Sequence, residues 1–230
     1  MKIRYLGHSC FYLISDSNIR LITDPYSPMG IKIPDNIEAD IVISSHDHYD
    51  HNYFKGIKGH YEIIKDVKPI DIKGIKIRGL EVFHDNENGR KRGKNIIFII
   101  DMDGIKICHM GDLGHKLGKS QLDYIGEIDV LLIPVGGFFT IGPEDAADIV
   151  REISPKIAIP MHFKPDLPSN ANFPLPIVTA DTFLTLLNGS KLEKDTLEIT
   201  KETLPEPIKV IQLRSGAEWD EMSANMISRR

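Results

Sequence analysis

Between residues 46 and 51 the chain reads His46-Asp47-His48-Tyr49-Asp50-His51, which places three imidazoles and two carboxylates within six positions. Neutral imidazole suits zinc, and carboxylate oxygens can complete or bridge a metal site. In an extended segment, residues two apart point the same way. His46 and His48 can therefore reach one ion, and a turn then aims Asp50 and His51 at a second. A lone histidine here would read as a solvated loop residue, but this density directly after the apolar run Ile41-Val42-Ile43 argues for ligands. Two ions need more donors than these four residues supply. Three further candidates sit at the ends of apolar runs: His84 after Leu80-Glu81-Val82-Phe83, Asp112 after Cys108-His109-Met110-Gly111, and His162 after Ile159-Pro160-Met161. Sheets of α/β proteins gather ligands at such strand ends.

The elements that must carry these residues follow from periodicity and punctuation. Ile3 to Ile14 and Ile19 to Asp24 read as two strand runs around Ser15-Asp16-Ser17-Asn18, a hairpin signal. Ile41 to Ser44 reads as a strand buried on both faces. Further strands are expected at Tyr61–Ile64, Ile75–Arg78, Ile96–Asp101, Ile105–Cys108, Val130–Pro134, Ile157–Pro160 and Val210–Leu213, with short helices at Ser120–Ile125 and Ala180–Leu187. Pro143-Glu144-Asp145 opens a helix that runs to Arg151, with proline and acids in its first turn. Strands first and strand–helix alternation later predict two mixed sheets with outer helices. One domain over residues 1–214 is expected, followed by a tail of weak pattern, 215–230, that fits a short helix, a partner contact or disorder.

Taken in order, the motif and its distant partners resemble the metallo-β-lactamase superfamily, and most of all its small branch of UlaG-like zinc-dependent hydrolases. Leu6-Gly7-His8-Ser9, Thr23-Asp24-Pro25, His109-Met110-Gly111-Asp112, Pro134-Val135-Gly136-Gly137 and Ile159-Pro160-Met161-His162-Phe163 support it, over roughly residues 1–213. The resemblance implies an αββα sandwich and a division of labour. His46, His48 and His84 would hold a first ion, Asp50, His51 and His162 a second, and Asp112 would bridge them. Asp50 and Asp112 become the catalytic carboxylates, and Asp24 the residue that orients a ligand histidine. The implied cofactor is two divalent metal ions, zinc first, with manganese or iron as alternatives. His48 stands where flavodiiron relatives carry a carboxylate, which argues against an oxygen-reducing iron site.

The implied reaction is hydrolysis of a lactone, ester or phosphoester by a hydroxide shared between ions about 3.5–4 Å apart. A non-catalytic metal-binding scaffold is the alternative, and a nuclease the less favoured one. The chain has 230 residues, a net charge of −5 and 27% charged residues, an ordinary soluble composition that argues against nonspecific nucleic-acid binding. No apolar stretch approaches 18 residues, so no membrane span is expected. Cys10 and Cys108 fall in separate apolar runs and read as buried core residues, which fits a reducing, cytoplasmic setting. The expected partner is a small molecule, and a homo-oligomer fits the family tendency. Lys164, two residues after His162, is a candidate substrate-binding contact for an anionic group. The basic stretch Asn88-Gly89-Arg90-Lys91-Arg92-Gly93-Lys94 reads as a solvated hairpin tip in preference to an anion-steering arm. For His8 and His109, a pocket-lining role and a satisfied core role stand level.

Overall fold

The computed structural model describes residues 1–166, 173, 175–220 and 223. Among these residues sixteen strands form in chain order: β1 (Lys2–Tyr5), β2 (Phe11–Ile14), β3 (Arg20–Thr23), β4 (Ile31–Lys32), β5 (Ile41–Ile43), β6 (Glu62–Ile64), β7 (Ile70–Ile72), β8 (Ile75–Phe83), β9 (Lys94–Met102), β10 (Ile105–His109), β11 (Val130–Pro134), β12 (Ile157–Met161), β13 (Ser190–Leu192), β14 (Thr196–Glu198), β15 (Lys209–Leu213) and β16 (Glu218–Trp219). The α-helices among the described residues are α1 (Lys119–Ile125), α2 (Pro143–Ile153) and α3 (Asp181–Leu186). None is long and apolar enough to cross a membrane.

Six strands pair in the order β14-β1-β2-β3-β5-β6, and eight in the order β13-β15-β12-β11-β10-β9-β8-β7. Both sheets are mixed: β3, β5 and β6 run parallel, as do β10, β11 and β12, while β1–β2–β3 and β8–β9–β10 are antiparallel. Alternation along the strands explains how the sheets pack. Leu13, Leu21, Ile41 and Ile43 join the main core with Ile97, Ile99, Ile107 and Leu131 of the second sheet. Tyr12, Ile22 and Val42 point the other way, into a smaller core with Leu6, Tyr26, Met29 and Ile57. β11 and β12 are buried along their whole length, because the helices cover the face turned away from the first sheet. Ala146, Ala147, Ile149 and Val150 of α2 supply that cover.

Two details depart from the sequence expectation. The run from Ile3 to Ile14 is two strands and not one, because Gly7 (φ 92°) and His8 (φ 52°) both take left-handed backbone and reverse the chain. In addition, the described helices pack on the eight-stranded sheet, whereas irregular chain around residues 25–39 and a 3₁₀ turn at Phe54–Gly56 close the outer face of the six-stranded one. The start of the C-terminal segment docks on the body. Gly216 N donates to Tyr5 O at 2.9 Å, and β16 pairs antiparallel with β4. Residues 221–222 and 224–230 of the expected tail lie outside the described residues.

Candidate metal centre

The rim of the sandwich collects the chain just past six strand ends. Asp24 follows β3, His46 to His51 follow β5, His84 follows β8, Asp112 follows β10, His162 follows β12, and His8 lies three residues past β1. The site therefore depends on both sheets, and hydrogen bonds such as Ile96 N of β9 to Ser45 O at 2.9 Å tie them at the rim.

Two donor clusters form. His46, His48 and His84 make the first, with ring centroids 4.5 Å apart for His46–His48, 4.7 Å for His46–His84 and 5.2 Å for His48–His84. Asp50, His51 and His162 make the second, joined by His8. Between them lies Asp112, 2% exposed. Its Oδ2 is 3.2 Å from Nε2 of His51, of His84 and of His162, and 3.9 Å from Nε2 of His46. One carboxylate oxygen cannot accept hydrogen bonds from four imidazoles, whereas cations between the rings and the oxygen satisfy all of them. His46 Nε2 and Asp112 Oδ1 are also buried without a hydrogen-bond partner. Buried polar atoms are rarely left so, and the donor set fits divalent ions.

The electrostatics point the same way. Burial lowers the His46 imidazole to about 2, and His51 adds to it, which leaves a neutral ring with a free lone pair. Burial lowers His84 as well. Burial would also lower His51, but the carboxylates of Asp112, Asp50 and Asp24 outweigh it and raise that ring well above its ordinary value. Burial would raise Asp112, yet the imidazoles of His162 and His51 hold its carboxyl well below the usual range. The centre is thus built to hold positive charge.

Asp24 sets the orientation of two rings. It is fully buried and accepts from Ser45 N (2.7 Å), Ser45 Oγ (2.6 Å) and His51 Nδ1 (2.9 Å). With His51 Nδ1–H committed to Asp24, Nε2 is the nitrogen left to face the centre. The Ser45 hydroxyl donates to Asp24, so its oxygen accepts from His46 Nδ1–H at 2.9 Å and turns His46 Nε2 inward. Ser45→Ala should therefore weaken metal binding about tenfold, the low end for an outer partner of a ligand histidine. Equilibrium dialysis against a competing chelator would measure this, and unchanged affinity would discard the relay.

Asn95 and Asp85 carry no signal in the sequence. Asn95, fully buried, accepts from Asp112 N at 2.9 Å and donates to Met110 O at 2.9 Å. Gly111 is required beside it: at φ 53° a Cβ would lie 2.3 Å from Asn95 Oδ1. Asp85 accepts four backbone amides, from Glu87, Gly89, Lys91 and Arg92, at 2.8–2.9 Å. Desolvation pushes its carboxyl up, but those amides outweigh it and hold it at about 2. The β8–β9 loop is thereby folded back, so Arg92 is not at a solvated tip. Its guanidinium lies 5.5 Å over the Phe139 ring, and Phe139 lies 6.5 Å from His162. Arg92 also lines a cavity of about 440 Å³ with His46, His48, Lys65 and Lys94. Lys164 is exposed, its backbone N–H donating to Val178 O, and it does not line that cavity. His109 takes the satisfied core role: its Nε2 donates to Ser9 O at 2.9 Å and its Nδ1 accepts from Gly111 N. Cys10 and Cys108 are buried free thiols, as expected.

Comparison with known proteins agrees with this geometry. The β-lactamase superfamily domain profile matches residues 2–162. A solved structure from Thermotoga maritima, assigned to the Zn-dependent hydrolases of the metallo-β-lactamase superfamily, is 38% identical, covers 93% of this chain and 98% of its own, and superposes with a TM-score of 0.76. A UPF0173 metal-dependent hydrolase of Methanobrevibacter smithii is 32% identical over 71% of this chain and 82% of its own. Another, from Thermococcus onnurineus, is 29% identical over 71% and 84%. The strand-end cluster, the mixed sandwich and these matches together place the chain in the metallo-β-lactamase superfamily, among its metal-dependent hydrolases.

Proposed function

We propose that the chain hydrolyses a lactone, ester or phosphoester of a small molecule at a dinuclear metal centre, with a hydroxide shared by the two ions as the nucleophile. The observation that carries this reading is the shared position of Asp112 Oδ2, 3.2 Å from imidazoles of both donor clusters. His46, His48 and His84 would hold one ion, Asp50, His51 and His162 the other, and Asp112 both. Divalent ions held there would supply an activated water near neutral pH and a Lewis acid for the scissile oxygen. Zinc suits the imidazole-rich set, and manganese or iron can replace it according to supply.

The protein's own residues supply position and charge. Asp112 is buried and fixed by Asn95 through its backbone, so it acts as a rigid counter-charge. Asp50 is the more open of the two carboxylates, its side chain 16% exposed against 2% for Asp112. Arg92 in the adjoining cavity offers a planar guanidinium that matches carboxylate or phosphate. It supports an anionic substrate more directly than the exposed Lys164, which remains the second candidate.

Metal analysis run with a panel of lactones, esters and phosphodiesters tests the reading. The expected result is about two equivalents of metal and metal-dependent turnover of one class. In Arg92→Ala, KM for the anionic members should rise roughly tenfold, about 1.4 kcal/mol of binding, with kcat and neutral substrates unchanged. Lys164→Ala serves as the comparison. Bound metal without turnover of any class would favour a non-catalytic scaffold.

A further inference from the structure

His8 stands outside the seven residues that complete the two proposed donor sets, yet it lies inside the centre. Its Nε2 is 3.3 Å from Asp50 Oδ2 and 3.3 Å from His51 Nε2. Its ring packs against His162 at 4.3 Å and His51 at 4.9 Å between centroids. Donor atoms of His8, Asp50, His51 and His162 all fall within 4.8 Å of one another. The residue is 3% exposed, and its Nδ1 is buried without a partner. His84 and His162 show the same disposition, with Nε2 turned to a carboxylate of the centre and Nδ1 buried and unpartnered.

The backbone holds this ring in place at a conformational cost. His8 takes φ 52°, an unfavourable region for a residue with a Cβ. Its carbonyl accepts from Tyr5 Oη at 3.0 Å and from His162 N at 2.8 Å. His162, itself at φ 50°, is thus tied through its own amide to the residue whose ring it packs against. Strained non-glycine residues persist where the surroundings over-determine them, and they cluster at functional sites.

We propose that His8 is a further protein ligand of the second ion, beside Asp50, His51 and His162. The inference rests on the two-ion reading above. With Asp112 shared, the second half then offers three imidazoles and two carboxylates, while the first offers three imidazoles and Asp112 alone. Four donors of that kind match tetrahedral zinc; five donors with added carboxylate match the higher coordination of manganese or iron(II). The two halves therefore differ in coordination number, and His8 makes the difference.

Metal binding, read without turnover, tests this. Protein stripped with chelator is dialysed against Zn²⁺ and analysed for it, and separately titrated with Co²⁺ while the visible absorption is followed. The wild type should take up about two equivalents of zinc. It should also show one intense four-coordinate Co²⁺ band and one weak band of higher coordination. His8→Ala should lose at least tenfold of its affinity for one of the two zinc ions, and its second Co²⁺ band should intensify. His8→Gln keeps an N–H that can donate to Asp50 but is a poor ligand. If it behaves like His8→Ala, ligation is supported; if it restores wild-type affinity, His8 only orients Asp50 and the proposal falls. Wild-type binding and spectra in a folded His8→Ala, checked by its melting temperature, would also overturn it. Fewer than two ions in the wild type itself would instead remove the two-ion reading, and this inference with it.

Discussion

Asp112→Ala is expected to strip most of the bound metal from the protein and to lower kcat/KM by on the order of a thousandfold, roughly 4 kcal/mol of barrier. The size follows from its position. Asp112 Oδ2 faces three imidazole Nε2 atoms at 3.2 Å, drawn from both donor clusters. With two ions held as proposed above, removing the carboxylate would take away a ligand from each and the negative charge between them at once. The turn itself should survive, because Asn95 holds Asp112 through the backbone N–H, which alanine retains. Circular dichroism should therefore stay native while elemental analysis shows metal lost. Asp112→Asn, which keeps one oxygen acceptor but no charge, should fall between. Full metal content in a folded Asp112→Ala would refute the shared position.

Much of this centre is legible in the sequence, and the reason is local. His46, His48, Asp50 and His51, placed just past the fully buried Ile41–Ile43, need only a strand and a turn to converge. His84, Asp112 and His162 were legible because each follows an apolar run, and β8, β10 and β12 run in the same direction, so all three end on one rim. His8 was ambiguous because its role depends on a reversal at Gly7 and His8 that alternation does not announce. Periodicity runs through it from Ile3 to Ile14 as if the strand continued. Arg92 was misjudged for a different reason. A basic stretch between strands reads as solvated, and what folds it back is the Asp85 carboxylate collecting four amides, a contact set by three-dimensional turn geometry. Ser45 and Asn95 are ordinary polar residues in sequence. Their importance appears only when the second sheet brings Ile96 N to Ser45 O and Asn95 Oδ1 to Asp112 N.

Asp24 is the residue whose loss should damage both the fold and the centre. It accepts three hydrogen bonds in a fully buried position, and Asp24→Ala leaves Ser45 N, Ser45 Oγ and His51 Nδ1 facing an apolar gap. Breaking one partner of a buried charged network costs about 3–5 kcal/mol. For a domain of this size that lowers the melting temperature by roughly 6–20 °C. Asp24→Asn separates packing from orientation. Its amide fills the space but offers one oxygen and one NH₂ where three donors converge. The NH₂ must then meet either Ser45 N–H or the Ser45 and His51 donors. If His51 Nδ1–H loses its acceptor, the proton can move to Nε2, and that nitrogen no longer ligates. Metal affinity should drop by about 10–100-fold, with a smaller fall in melting temperature than for alanine. Ser45→Ala acts on the same carboxylate, so Asp24→Asn combined with Ser45→Ala should cost less affinity than the two single losses added together. Strict additivity would mean that His46 and His51 are oriented by separate contacts. A deficit would show that one aspartate, through one hydroxyl and one ring, aligns imidazoles in both halves of the centre.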